Sequence, residues 1–190
     1  MSVMGAAIRN LNRIVAAFLA VVTFSIPAPA AENARLDGLF EQLAEAEPQD
    51  ARRIAAEIDL EFAKSGSAAM DLLLRRGEDA LEAGDSARAV EHLSALIDHA
   101  PDFAEAWHLR SVAFFKQERY GLALNDIEHA LVLEPRHYNA IFGLGVLLEE
   151  MGQHDLAQDA FLRALAIHPH HEDVTSALER VRRELGGMDL

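Results

Sequence analysis

The sequence predicts an all-α chain built as an array of antiparallel helix pairs, and three observations predict it. Three consecutive blocks, 70–103, 104–137 and 138–171, align without a gap at a period of thirty-four residues. Within each block apolar residues recur at helical spacing, as in Trp107, Phe114 and Phe115, then Leu124, Ile127 and Leu131. The same offsets carry the same residue types in all three blocks. The eighth position is small (Gly77, Ser111, Gly145) and the twentieth is Ala89, Ala123 and Ala157. The twenty-fourth is large and apolar (Leu93, Ile127, Phe161), and the thirty-second is Pro101, Pro135 and Pro169.

Each recurrence has a physical reason. Small residues at the eighth and twentieth positions let two antiparallel helices approach closely. A glycine between the two runs, Gly84 and Gly152, suits the left-handed residue that ends a helix. The terminal proline stops the second helix and turns the chain into the next block. Two helices of this length cannot bury their apolar faces alone, so stacked neighbours complete the core.

This pattern resembles the tetratricopeptide repeat family. The middle block carries the signature best, through Trp107, Phe114, Tyr120, Ala123, Ile127, Ala130 and Pro135. The third follows through Leu144, Gly145, Ala157, Phe161, Ala164 and Pro169. The first is thinner, with Gly77, Ala89, Leu93 and Pro101, and Leu96 stands where alanine is usual. Glu118 stands where the middle block should have glycine, which puts that turn in question. The resemblance implies a right-handed solenoid of helix pairs that binds another protein and catalyses nothing.

The flanks read as caps. Residues 31–69 contain two helices, marked by Leu36, Leu39, Phe40 and Leu43 and by Ile54, Ile58 and Phe62, with Pro48 at the start of the second. The stretch has repeat length but only Ala55 agrees with the signature, so it is an N-terminal helix pair or degenerate repeat. Residues 172–190 form a capping helix and tail. Val174, Leu178, Val181 and Leu185 share one face, and Gly186–Gly187 is expected to end the helix.

Residues 1–30 read as a bacterial secretory leader. Arg9 and Arg13 precede the apolar run Ile14–Ile26, and Ala28 and Ala30 offer an Ala-x-Ala cleavage site. Thirteen apolar residues fall short of the about 20 that a membrane span needs. Cleavage removes two arginines and no acid, which takes the net charge from −14 to −16. Such a chain repels nucleic acid and anionic membranes. The expectation is a soluble periplasmic protein with no stable membrane insertion. With no cysteine there is no disulfide and no thiolate metal site.

Nothing in the sequence offers a catalytic set: no serine sits in a glycine-flanked elbow, and no phosphate-cradling or dinucleotide loop is present. No cofactor is expected. Nine histidines stand out, and "HPHHED" gathers His168, His170 and His171 beside Glu172 and Asp173. They are candidate metal ligands, disfavoured because a repeat boundary is polar anyway and Pro169 separates His168 from the others. A metal- or pH-responsive module built on the histidines is the alternative reading, since imidazoles titrate near pH 6.5.

The resemblance also implies a concave groove lined by the first helix of each pair. Its positions here are Leu74, Glu78, Leu81 and Glu82, with Asp71 at their edge. The middle block gives Glu105, His108, Val112, Phe115 and Lys116, and the third gives Asn139, Phe142, Val146, Glu149 and Glu150. One subgroup of the family grips a C-terminal carboxylate with lysine and asparagine at positions five and nine. Leu74 and Glu78, His108 and Val112, and Phe142 and Val146 stand there instead, so that clamp is missing. What remains is an apolar stripe bordered by acids, suited to a peptide or amphipathic helix with apolar anchors and basic flanks. Either the stripe is open to such a ligand, or the N-terminal pair or a second copy in self-association covers it.

Overall fold

The computed structural model describes residues 28–188, and side chains are described for residues 34–187. The expected leader therefore lies almost wholly outside the described residues. The chain divides between Asp37 and Gly38, a point inside the first described helix, α1 (Ala28–Glu45). α2 follows as Pro48–Phe62, with Pro48 in the first turn as its sequence position predicts.

The three repeats are α3 (Ala68–Glu82) with α4 (Ser86–His99), α5 (Ala104–Lys116) with α6 (Tyr120–Leu133), and α7 (Tyr138–Glu150) with α8 (His154–Ile167). Each helix packs on its partner and on the first helix of the next pair, and α3, α5 and α7 are neighbours in one layer. The described residues contain no strand.

The recurring offsets sit where the packing argument needs them. Ala89, Ala123 and Ala157 have no solvent exposure. A methyl group added at Gly145 would overlap the Phe161 ring, and one at Gly77 would lie 2.7 Å from the Leu93 side chain. The glycine and the large apolar residue across from it form one joint, repeated in the first and third pairs. Prolines 101 and 135 also supply carbonyls, accepting from Trp107 Nε1 at 2.9 Å and from Arg163 Nη2 at 2.9 Å.

The three turns between paired helices share one geometry. Gly84 and Gly152 take φ of 75° and 71°, and Glu118 takes 59°. In each, the next amide reaches back to close the helix: Asp85 N to Ala80 O at 2.8 Å, Arg119 N to Phe114 O at 3.0 Å, Gln153 N to Leu148 O at 2.8 Å. The turn that lacked its glycine keeps the left-handed form, held by the helices on either side.

α9 (Glu172–Met188) caps α8 with Val174, Ala177, Leu178 and Val181 buried. It runs through Gly186 and Gly187, where the sequence predicts a stop. A side chain added at either glycine would meet no neighbour within 4 Å, so both lie on the open side of the packing.

α2 borders two repeats. It faces Leu74 and Glu78 of α3 in repeat 1, and it also reaches forward to repeat 3, where Tyr138 Oη donates to Asp59 Oδ1 at 2.7 Å and Asn139 Nδ2 donates to the same oxygen at 3.0 Å. Phe62 stacks on His137 with ring centroids 4.3 Å apart. His170 Nε2 meets the Ala46 carbonyl at 3.0 Å, and Arg136 lies over the Phe40 ring at 4.4 Å. The segment from Gly38 to Phe62 is thus a helix pair folded across the starts of repeats, and Leu39, Phe40, Leu43, Ile54, Ile58 and Phe62 are buried in doing so.

Candidate peptide-binding groove

The first helices α3, α5 and α7 divide the predicted groove into an open part and a covered part. Between α5 and α7 lies an open, mostly apolar pocket of about 330 Å³. His108, Ser111, Val112 and Phe115 line it from α5, and Asn139, Phe142, Gly143, Val146 and Leu147 line it from α7. Ala123 and Ile127 form its floor. Six predicted groove residues meet here: His108, Val112, Phe115, Asn139, Phe142 and Val146. Phe115 and Phe142 are half-buried, each anchored by another ring: Phe115 by Tyr120 at 5.7 Å, Phe142 by Phe161 at 5.9 Å and by His171 at 5.5 Å.

The remaining predicted positions lie outside this pocket. Leu74 is core, 1% exposed, and Leu81 packs on the same repeat-1 cluster. Leu74 and Glu78 also face α2 across a cavity of about 600 Å³ shared with Ala56, Asp59 and Leu60. Glu82 and Lys116 are exposed. Glu149 is held by Arg180 of α9 through two contacts, at 2.5 and 2.7 Å. Its charge is spent inside the chain, so the acidic border expected from sequence is thinner than the residue types suggest.

Glu105 is the strongest case of that kind. Its carboxylate is enclosed, with Oε2 accepting from His137 Nε2 at 2.6 Å and Oε1 3.6 Å from His108 Nδ1. The second distance is an ion-pair contact and too long for a hydrogen bond, which leaves buried His108 Nδ1 without a hydrogen-bond partner. Burial pushes the Glu105 carboxyl up, but the nearby His108 imidazole and the hydrogen bond from His137 outweigh it and hold it at about 2. Burial holds His137 below the ordinary imidazole value despite its bond to Glu105. Asp59, brought by α2, is raised by burial.

Glu105, His108 and His137 are the group of potential metal ligands among the described residues, with donor atoms within 4.8 Å of one another. A zinc-class ion would need a lone pair from each imidazole. His137 cannot give its Nε2 pair cheaply. It caps α7, with Nδ1 accepting the Ala140 amide at 3.3 Å, and so its one proton sits on Nε2 and points at Glu105. The arrangement holds a proton where a metal would have to be. The sequence candidates His168, His170 and His171 are divided among separate tasks. His170 bonds to Ala46, His171 Nδ1 accepts from the Val174 amide at 3.4 Å, and His168 sits edge-on to Tyr138 at 5.3 Å.

Thirty-two residues separate His137 from Glu105, so the pair forms no local sequence motif. The usable signal was the repeat frame. His137 and His171 both fill the last position of a block, beside the second position of the middle block and its fifth, Glu105 and His108. Equal offsets in a solenoid fall on one side of it.

A tetratricopeptide repeat family model matches residues 74–128 and 113–172. A TPR repeat-containing protein of Rhizobium etli is 35% identical over 161 residues, 84% of this chain and 79% of that protein. Among solved structures, the first TPR domain of Spaghetti (RPAP3) bound to an HSP90 peptide superposes with a TM-score of 0.60 at 19% identity, covering 62% of this chain and 95% of that one. MamA superposes with a TM-score of 0.58 at 20% identity, covering 77% and 83%. The repeat frame, the helix pairing and these likenesses agree: the chain belongs to the tetratricopeptide repeat family.

Proposed function

We propose that this chain is a non-catalytic protein-interaction module that seats an apolar side chain of a peptide or helix between Phe115 and Phe142. The observation that carries the reading is the pocket between α5 and α7. It is apolar, open, of side-chain size, and walled by Val112, Phe115, Phe142 and Val146, which lie outside the recurring packing offsets. Half-buried aromatic walls are the usual anchors of such interfaces. The Spaghetti domain is bound to an HSP90 peptide, which supports a peptide as the kind of partner. The carboxylate clamp is absent here, so the pocket, rather than a chain terminus, would set specificity. The net charge of −14 with exposed Glu82 and Glu150 favours basic flanks on the partner. The leader-like residues 1–30 support an adaptor or assembly role in the bacterial envelope. No described helix is long and apolar enough to cross a membrane. The intact mass of the protein from its native cell decides the export reading: loss of about thirty residues supports it, and a retained Met1 overturns it.

Gly143 gives a test that leaves the core intact. It lines the pocket, and a methyl group there would meet only Ile127 Cδ1, at 4.0 Å. Gly143→Leu should fill the pocket while raising helix propensity. Peptides selected from a random displayed library on the wild-type chain should lose five- to hundredfold affinity, roughly 1–3 kcal/mol, on the variant. The melting temperature should be equal or higher. Full affinity on a folded Gly143→Leu would place the binding site elsewhere.

A further inference from the structure

Two imidazoles, His137 and His170, touch the segment 38–62 directly, beside the contacts of Tyr138, Asn139 and Arg136 and an Arg52–Glu172 ion pair at 2.7 Å. Phe62 lies flat on His137, which is fully buried. Tyr138, 2% exposed, joins Asp59 of α2 to the edges of His168 and His171. His170 holds the Ala46 carbonyl. The segment connects to repeat 1 through Ser65–Ser67, where Gly66 takes a φ of 75° and Ser65 is pinned to Asp71 Oδ1 by its amide and its hydroxyl. A pinned left-handed turn is a ready pivot.

We propose that the 38–62 helix pair is a removable cover over the start of repeat 3, held shut by neutral imidazoles and released when they are protonated. Charging His137 beneath Phe62 would place a cation in an apolar stack. It would leave the Glu105 contact, but it would also put that charge 4.7 Å from the His108 ring. Charging His168 and His171 would set like charges against each other, their rings being 5.1 Å apart. The carboxylates that face the cluster are Asp59 from α2, Glu78 from α3, Glu105 from α5 and Asp173 from α9. Only Glu105 bonds an imidazole directly.

The sign follows from the directions. Burial holds His137 and His171 below the ordinary value of 6.5. Burial, then the charges of His171 and His170, holds His168 at about 4. The closed state therefore binds fewer protons than the open one. Closure is complete above about pH 6.5 and is lost as pH falls from there toward 4. Glu105, held at about 2, keeps its charge throughout that window. Asp59, raised by burial, takes up a proton more readily in the closed state and so opposes opening only toward the acid end.

The cover lies beside the pocket of the proposed function, since Asn139 lines that pocket and also bonds Asp59. What opening would expose is read as binding surface on the strength of that function. The opening itself is measured without any partner, so the two readings fail separately. Amide hydrogen exchange on the full chain, corrected for intrinsic rates, should be compared at pH 7.5 and pH 5.0 for residues 48–62 and for 154–167 of α8. Protection of 48–62 should fall tenfold or more at pH 5.0 while that of 154–167 holds. In a triple variant with His137→Asn, His168→Asn and His171→Asn, which keeps a capping acceptor at 137 and 171, the two pH values should agree within threefold. Equal protection of 48–62 at both pH values in the wild type, a joint loss in both segments, or a full drop in the triple variant would overturn the proposal.

Discussion

The middle repeat and its two neighbours answer the same packing problem with different chemistry. Repeats 1 and 3 close their helix pairs with glycine against a large apolar side chain, Gly77 on Leu93 and Gly145 on Phe161, and turn on Gly84 and Gly152. Repeat 2 has Ser111 and Glu118 at those positions. It also carries polar groups inside: Arg110 grips nearly buried Asp126 at 2.7 and 2.9 Å and reaches Ser94 of repeat 1 at 3.1 Å, and Glu105 is enclosed by two imidazoles. Yet repeat 2 matches the family signature best. A signature reports how one hairpin packs on the next. It is silent about the surface that α5 presents, and there the repeat spends stability on polar contacts and an open pocket.

The largest expected effect tests that contrast in the core. Ala89, Ala123 and Ala157 are equally unexposed, but only Ala123 borders the α5–α7 pocket. Ala157→Glu would bury a carboxylate between sealed helices at a cost of about 3–5 kcal/mol, comparable with the whole stability of a small array. Ala89→Glu should match it. Ala123→Glu can extend its carboxylate into the pocket, and should cost less, about 1–3 kcal/mol. Thermal melts of the three variants settle the order. Equal losses would mean that the pocket is closed in solution, and an undamaged Ala157→Glu would mean that the repeat frame is wrong.

Legibility followed the same line. The repeat frame, the cap and Pro48 were readable because each depends on local rules: periodicity, small residues at contacts, proline at a helix start. The pocket was readable because Phe115 and Phe142 fall on facing helices at known offsets. The position of α2 was not. Its pattern of Ile54, Ile58 and Phe62 declares a buried face but not which surface buries it, and nothing beside Asp59 in sequence marks Tyr138 and Asn139 as its partners. Nor could the sequence show that Glu105 and Glu149 are engaged within the chain, because their partners, His137 and Arg180, lie about thirty residues away.

The smallest effect lies at the turn where the middle repeat departs from its neighbours. Glu118 holds φ at 59° in the conformation that glycine supplies at 84 and 152. A side chain in that region costs roughly 1–2 kcal/mol. Glutamate adds a second penalty, because it sits just past the end of α5, where the helix dipole already presents negative charge. Against this, glycine gives up about 0.5–1 kcal/mol through the freedom it gains in the unfolded chain. Glu118→Gly should therefore stabilise by about 0.5–1 kcal/mol, which for a chain of this size raises the melting temperature by roughly 1–4 °C. The reverse exchange, Gly152→Glu, should lower it by a similar or slightly larger amount. If Glu118→Gly lowers the melting temperature while Gly152→Glu does so too, the glutamate side chain supports its turn, and repeat 2 differs from its neighbours by design of the turn as well as of the groove.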